Sequence, residues 1–116
     1  MMLRLTGTRS PVGVQTWTVT LAAGTYLCQF AMSAVAKVLG LNYINLQMDG
    51  VNVNQSKLYA NELTQHAMMN QGVSEITIPA DGEHTFTIVP HDTSTQVDQN
   101  DFGWIILTPC APGAVT

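Results

Sequence analysis

Val73 to Pro90 reads VSEITIPADGEHTFTIVP, two alternating runs on either side of a Pro-Ala-Asp-Gly-Glu reversal. In the first run Ile76 and Ile78 face one way, and Glu75 and Thr77 the other. In the second, Phe86 and Ile88 are set against Thr85 and Thr87. Successive side chains of a strand point to opposite faces, so each run is a strand with one apolar and one polar side. Asp81-Gly82 tolerates the positive backbone angles of a tight reversal, and the stretch is expected to be the clearest hairpin of the chain.

The rest of the chain repeats this grammar. Leu3–Thr6 is expected as a short edge strand, ended by Pro11 and Gly13. In Val14–Leu21 (VQTWTVTL), Trp17, Val19 and Leu21 oppose Thr16, Thr18 and Thr20; Ala23-Gly24 follows as a turn. In Thr25–Ser33 (TYLCQFAMS), Tyr26, Cys28, Phe30 and Met32 alternate with Leu27, Gln29, Ala31 and Ser33. That second face is mixed, so the strand is expected to be covered on both sides. Ala34–Gly40 reads either as a helical turn or as a loop. Asn42–Met48 resumes alternation, and Asp49-Gly50 is a second hairpin signal leading to Val51 and Val53. Lys57–Gly72 fits helical and strand spacing alike and is read as strand plus loop, in keeping with its neighbours. The last strand, Phe102–Pro109 (FGWIILTP), is apolar on both faces. Such a strand lies between two packed layers or against another subunit. Trp104 and Ile106, with Tyr26 and Phe30, are expected to face the core. Ile105 and Leu107, with Leu27 and Ala31, are expected on the outer face as a candidate threefold contact. Seven or eight short strands with frequent turns indicate an all-β fold: an antiparallel β-sandwich of jelly-roll type, in one domain over residues 1–116.

The chain has 116 residues, 46% of them hydrophobic and only 10% charged, with a net charge of −4. With Arg4, Arg9, Lys37 and Lys57 as its only fixed cations, it has no basic patch to neutralise phosphates, so nucleic acid is not an expected partner. No apolar run approaches the length of a membrane span. The start, MMLRLTGTRSPVG, lacks the apolar region of a secretory signal. If Met1 is the natural start, synthesis in a cytoplasm is expected. Cys28 and Cys110 leave one possible bridge; two buried or idle thiols are expected ahead of a disulfide, since cysteine is often simply a small core residue.

Chemistry-bearing motifs are sparse. His66, His84 and His91 are the only histidines, and they lack the paired spacing of a jelly-roll metal site; surface or turn positions are expected for them. His91-Asp92 could form a metal or acid-base pair but lacks the paired histidines and following glutamate of such a site, and the Asp92, Asp98, Asn100, Asp101 loop does not match a calcium-loop spacing and is expected to be a solvated acidic loop. No nucleophile elbow, phosphate loop or dinucleotide fingerprint is present. A non-enzymatic protein with no catalytic, cofactor or metal residues is expected. Trp17, Tyr43, Tyr59 and Trp104 are candidates for a sugar-stacking platform, against the plainer reading of Trp17 and Trp104 as core or interface residues.

Ala22–Ser33 (AAGTYLCQFAMS), Asn45–Val53 (NLQMDGVNV) and the central stretch resemble two groups of β-sandwiches. One is the tumour-necrosis-factor/C1q-like jelly roll, including small decoration or cement proteins of bacteriophage capsids. The other is the galactose-binding type of carbohydrate-binding module. The first resemblance implies a homotrimer on the outer surface of a virion, bound to a major capsid protein and bridging capsomers. The second implies glycan binding, as a carbohydrate-binding module or at a phage tail tip. The capsid-decoration role is the expected function, and glycan binding is its alternative.

Overall fold

The structure is a computed structural model, and it describes residues 1–7, 15–91 and 94–111. Arg9, Pro11, Gly13 and Asp92 lie outside the described residues. Ten strands run in order: β1 (Met2–Thr6), β2 (Gln15–Leu21), β3 (Gly24–Ala36), β4 (Gly40–Met48) and β5 (Val51–Ala60), then β6 (His66–Met68), β7 (Gly72–Ile78), β8 (Gly82–Pro90), β9 (Thr95–Gln96) and β10 (Phe102–Cys110). No helix occurs among the described residues. One sheet has the order β1-β10-β3, with β7 along the first half of β3 and β6 and β9 along its second half; the other is β2-β8-β4-β5. All pairings are antiparallel. The chain is therefore an all-β sandwich of the jelly-roll kind, and its last strand closes between β1 and β3.

The stretch Val73–Pro90 forms both expected strands, β7 and β8, but they do not pair with each other. β7 lies on β3 and β8 lies between β2 and β4. Residues 79–81 thus arch from one sheet to the other. Ala22-Ala23, between β2 and β3, makes a second arch beside it, with Leu21 opposite Gly82 in one sheet and Gly24 opposite Ile78 in the other. The Ala23 N–H donates to Asp81 Oδ1 at 2.7 Å and ties the two arches together. Alternation within a strand does not report which neighbour it pairs with; here the arch takes both strands to different partners while their apolar faces still meet inside.

The Asp49-Gly50 turn is a true hairpin. Met48 pairs with Val51, and both turn residues have positive φ, 51° and 87°, as the two-residue turn that matches strand twist requires. The doubtful Ala34–Gly40 stretch is strand to Ala36, then a tight exposed turn at 37–39. Lys57–Gly72 is strand plus loop: β5 runs to Ala60 and β6 takes three residues after the turn.

Phe30, Ile44, Leu46, Phe86, Ile88, Ile105 and Leu107 are wholly buried between the sheets. This reverses the expected phase of β10. Ile105 pairs with Phe30, and Leu107 with Cys28, so both point inward and neither is on the outer face. Trp104 and Ile106 are the half-buried outward residues. A strand apolar on both faces carries no periodic signal of which face is inside, and register against β3 decides it. Tyr26 and Phe30 do face the core. Leu27 and Ala31 point outward by alternation, yet Ala31 is almost wholly buried. Trp104 is its cross-strand partner, and the indole Nε1 reaches Gln71 beyond β3, so the ring lies across Ala31.

Cys28 and Cys110 are both free. Cys28 is in the core, where burial raises its thiol pKa above the ordinary range.

Candidate functional site

The outer strand β5 carries a candidate site. Asn42, Ile44 and Leu46 of β4 are buried, which leaves Leu41, Tyr43 and Asn45 outward. On β5, Ser56 is buried, and Gln55, Lys57 and Tyr59 project outward. Register places Leu41 opposite Tyr59, Tyr43 opposite Lys57 and Asn45 opposite Gln55. Tyr43 and Tyr59 are thus diagonal neighbours on one face, within reach of a shared ligand. At 73% exposure Tyr59 is the most exposed large hydrophobic side chain among the described residues. Its exposure leaves one face of the ring open to a ligand.

A groove of about 470 Å³ lies beside Tyr59, lined by Leu41, Gln55, Lys57, Asn70 and Gln71. Its floor is fixed. Lys57 and Asn70 exchange backbone hydrogen bonds, and the Ser56 hydroxyl donates to Asn70 O at 2.8 Å. Nearby, a bulge in β5 leaves Asn54 opposite Leu46, and its side-chain amide donates to Cys28 O and Gly72 O, both at 3.1 Å. These bonds bind the edge of one sheet to the other. A bulge re-aims a side chain in this way, and sequence alternation does not reveal it. A second hollow, of about 310 Å³, lies beyond Tyr59 and is lined by Ala60, Asn61, Glu62 and Gln65.

The four aromatic candidates separate. Tyr43 and Tyr59 share the outer face of β4 and β5. Tyr43 stacks on His91, ring centroids 4.3 Å apart, and the His91 N–H donates to Tyr43 O at 3.1 Å. Trp104 lies on the outer face of the other sheet and reaches the groove only through Gln71, whose Oε1 accepts the indole N–H at 3.0 Å. Trp17 faces inward beside Phe86 and packs against the core. Gln55 and Asn45 are joined amide to amide at 2.8 Å. Asn70 and Gln71 also line the groove; they fall in Lys57–Gly72, which fits helical and strand spacing alike, and only tertiary pairing brings them to β5.

Surface or turn positions are expected for the histidines; His66 is exposed, but His84 is not. His84 is buried, between Asp49 Oδ2 at 2.8 Å and Ala80 O at 2.9 Å. The carboxylate of Asp49, followed by the Ala80 carbonyl, raises the His84 pKa above the ordinary range. The Thr85 N–H and then His84 hold Asp49 below the usual carboxylate range. His66, Asp98 and Asp101 form the one cluster of metal-type ligands among the described residues, with ligand atoms within 4.8 Å. Asp101 is buried and its oxygens are committed: Oδ1 accepts from Ser33 Oγ at 2.9 Å and pairs with His66 Nδ1 at 2.8 Å, and Oδ2 accepts the Asp98 N–H at 2.9 Å. Only His66 Nε2 and Asp98 Oδ2, 3.8 Å apart, face each other without that lock. The arrangement ties β6 to the loop before β10, and the Asp101 hydrogen bond raises the His66 pKa.

No family model and no curated protein matches this sequence. Solved structures share its fold. One is a carbohydrate-binding module of family 36 in complex with calcium and xylotriose, with TM-score 0.52 and 15% identity over 87% of this chain and 77% of that one. Another is a family 35 carbohydrate-binding module from an environmental isolate, with TM-score 0.51 and 13% identity over 90% and 74%. At these identities the likeness is one of fold.

Proposed function

We propose that this chain is a sugar-binding module, without a catalytic step of its own, whose ligand lies along the β5 groove over Tyr59. The carrying observation is the exposed Tyr59 ring set among side chains with amide groups, Gln55, Asn70 and Gln71. Sugars present an apolar face to a ring and hydroxyls to donors and acceptors, and a groove with an aromatic wall and a few placed polar groups suits them. Likeness in fold to carbohydrate-binding modules supports this reading over a capsid role. A glycan array followed by calorimetry tests it. Tyr59→Ala should weaken the strongest binder by about 2 kcal/mol, the scale of a truncated aromatic anchor, or roughly thirtyfold. Unchanged binding by Tyr59→Ala would remove the groove from the reading.

A second reading, a subunit-contact protein such as a trimeric capsid decoration, has one observation in its favour. The outer face of the β1-β10-β3-β7 sheet exposes Met2, Val73 and Phe102 at 55% or more, with Trp104 and Ile106 half-buried among them. A contact there would use this set in place of Ile105 and Leu107. Native mass spectrometry decides it: a trimer lost on Phe102→Asp supports the reading, and a monomer at micromolar concentration removes it.

A further inference from the structure

The groove beside Tyr59 has one charged lining residue, Lys57. Its backbone is pinned at the seam of the sheets by the paired bonds with Asn70, so the side chain leaves the strand from a fixed point. It is exposed, between Tyr59 and Gln55 and across from Tyr43. Among the described residues it forms no ion pair. The other described fixed cations do not line this groove: Arg4 is on β1 of the opposite sheet, and Lys37 is in the turn before β4, next to Ala36 of the second hollow. Past the ring, the second hollow carries Glu62. The two hollows share Tyr59 and Leu58, so Lys57 and Glu62 line neighbouring hollows that meet at Tyr59.

We propose that the site takes acidic oligosaccharides, with a sugar carboxylate seated on the Lys57 ammonium and a neutral residue on the Glu62 side of Tyr59. The inference rests on the glycan-binding reading and deepens it. An uncharged sugar gains little from an ammonium that its own water already solvates, whereas a carboxylate gains a charge-assisted hydrogen bond. Glu62 opposes a second carboxylate at the far end and so sets the direction of the chain. An exposed ion pair is a modest interaction, and the expected preference for acid over neutral ligand is about fivefold. It falls as salt screens the pair.

The test uses matched ligands that differ only in charge. Trisaccharides ending in galacturonate, glucuronate or mannuronate are titrated calorimetrically into the full chain, each beside its methyl ester, with neutral xylo- and manno-oligosaccharides alongside. The free acid of at least one pair should bind about fivefold more tightly than its ester. The acid-to-ester ratio should approach one in Lys57→Gln, with the variant's melting temperature confirming that it folds. Equal binding of acid and ester by the unmodified chain, or a preference that survives Lys57→Gln, overturns the inference. Neutral sugars that bind through Tyr59 without acid preference would leave the underlying reading intact. Failure of every acid, ester and neutral sugar to bind would overturn both.

Discussion

Replacing Leu107 by Ala tests the inward phase of the last strand, on which the placement of both sheet faces depends. Leu107 is wholly buried opposite Cys28, inside a core that includes Phe30 and Ile105. Truncating a buried leucine costs about 3 kcal/mol, through lost transfer energy and the cavity left behind. Unfolding entropy near 60 °C is about 2.1 cal/mol/K per residue, or about 0.24 kcal/mol/K over 116 residues. The melting temperature should therefore fall by about 12 °C. Ile106→Ala, on the half-buried outer face, should cost about 1 kcal/mol or less, and so about 4 °C. Leu107→Asp should go further and fail to fold, because it buries an unpaired carboxylate. Scanning calorimetry with urea unfolding measures all three. A Leu107→Ala loss below about 1 kcal/mol beside an Ile106→Ala loss of about 3 would restore the opposite phase and refute the register argument.

Two further outcomes follow from local geometry. His66 has a folded pKa raised by Asp101, so its contribution to stability is fully present below its unfolded pKa of about 6.5 and is lost as pH rises through the higher folded value. The effect is small because the ring is partly exposed; His66→Gln should flatten the dependence of melting temperature on pH above about 6, and an identical pH profile in the two proteins would count against the His66–Asp101 contact. At Gly72, which faces Asn54 and Gln55, an added Cβ would fall onto the Gln55 carbonyl, so Gly72→Ala should destabilise by more than about 1 kcal/mol in urea unfolding, and a neutral effect would contradict the close approach of β5 and β7.

Most of the architecture was legible in period-two patterning. The runs in Val14–Leu21, Asn42–Met48 and Val73–Pro90 have apolar faces, and the strands they form, β2, β4, β7 and β8, turn those faces inward. Two things were not legible. Outside the Asp49-Gly50 hairpin the partner of a strand was hidden, so an inter-sheet arch at 79–81 read as a hairpin. The phase of β10 was also hidden, because Trp104, Ile105, Ile106 and Leu107 are all apolar. For the site, the aromatic set contained Tyr43 and Tyr59, which share a face. It also contained Trp17, which register against Phe86 turns inward. Gln55, Asn70 and Gln71 gave no local signal, since polar amides are common throughout this chain and only the meeting of β5 with residues 70–71 gives them a common groove. The histidine–aspartate contacts span 35 residues in sequence, beyond the reach of any motif.

The most direct test of the proposed site is a heteronuclear NMR titration of the ¹⁵N-labelled chain with its strongest glycan ligand. Binding in the β5 groove predicts the largest shift changes at Leu41, Lys57, Tyr59, Asn70 and Gln71, with small changes at Met2, Val73 and Phe102 on the opposite sheet. Changes centred on that opposite sheet, or on the loop holding Asp98 and Asp101, with Lys57 and Tyr59 unmoved, would contradict it.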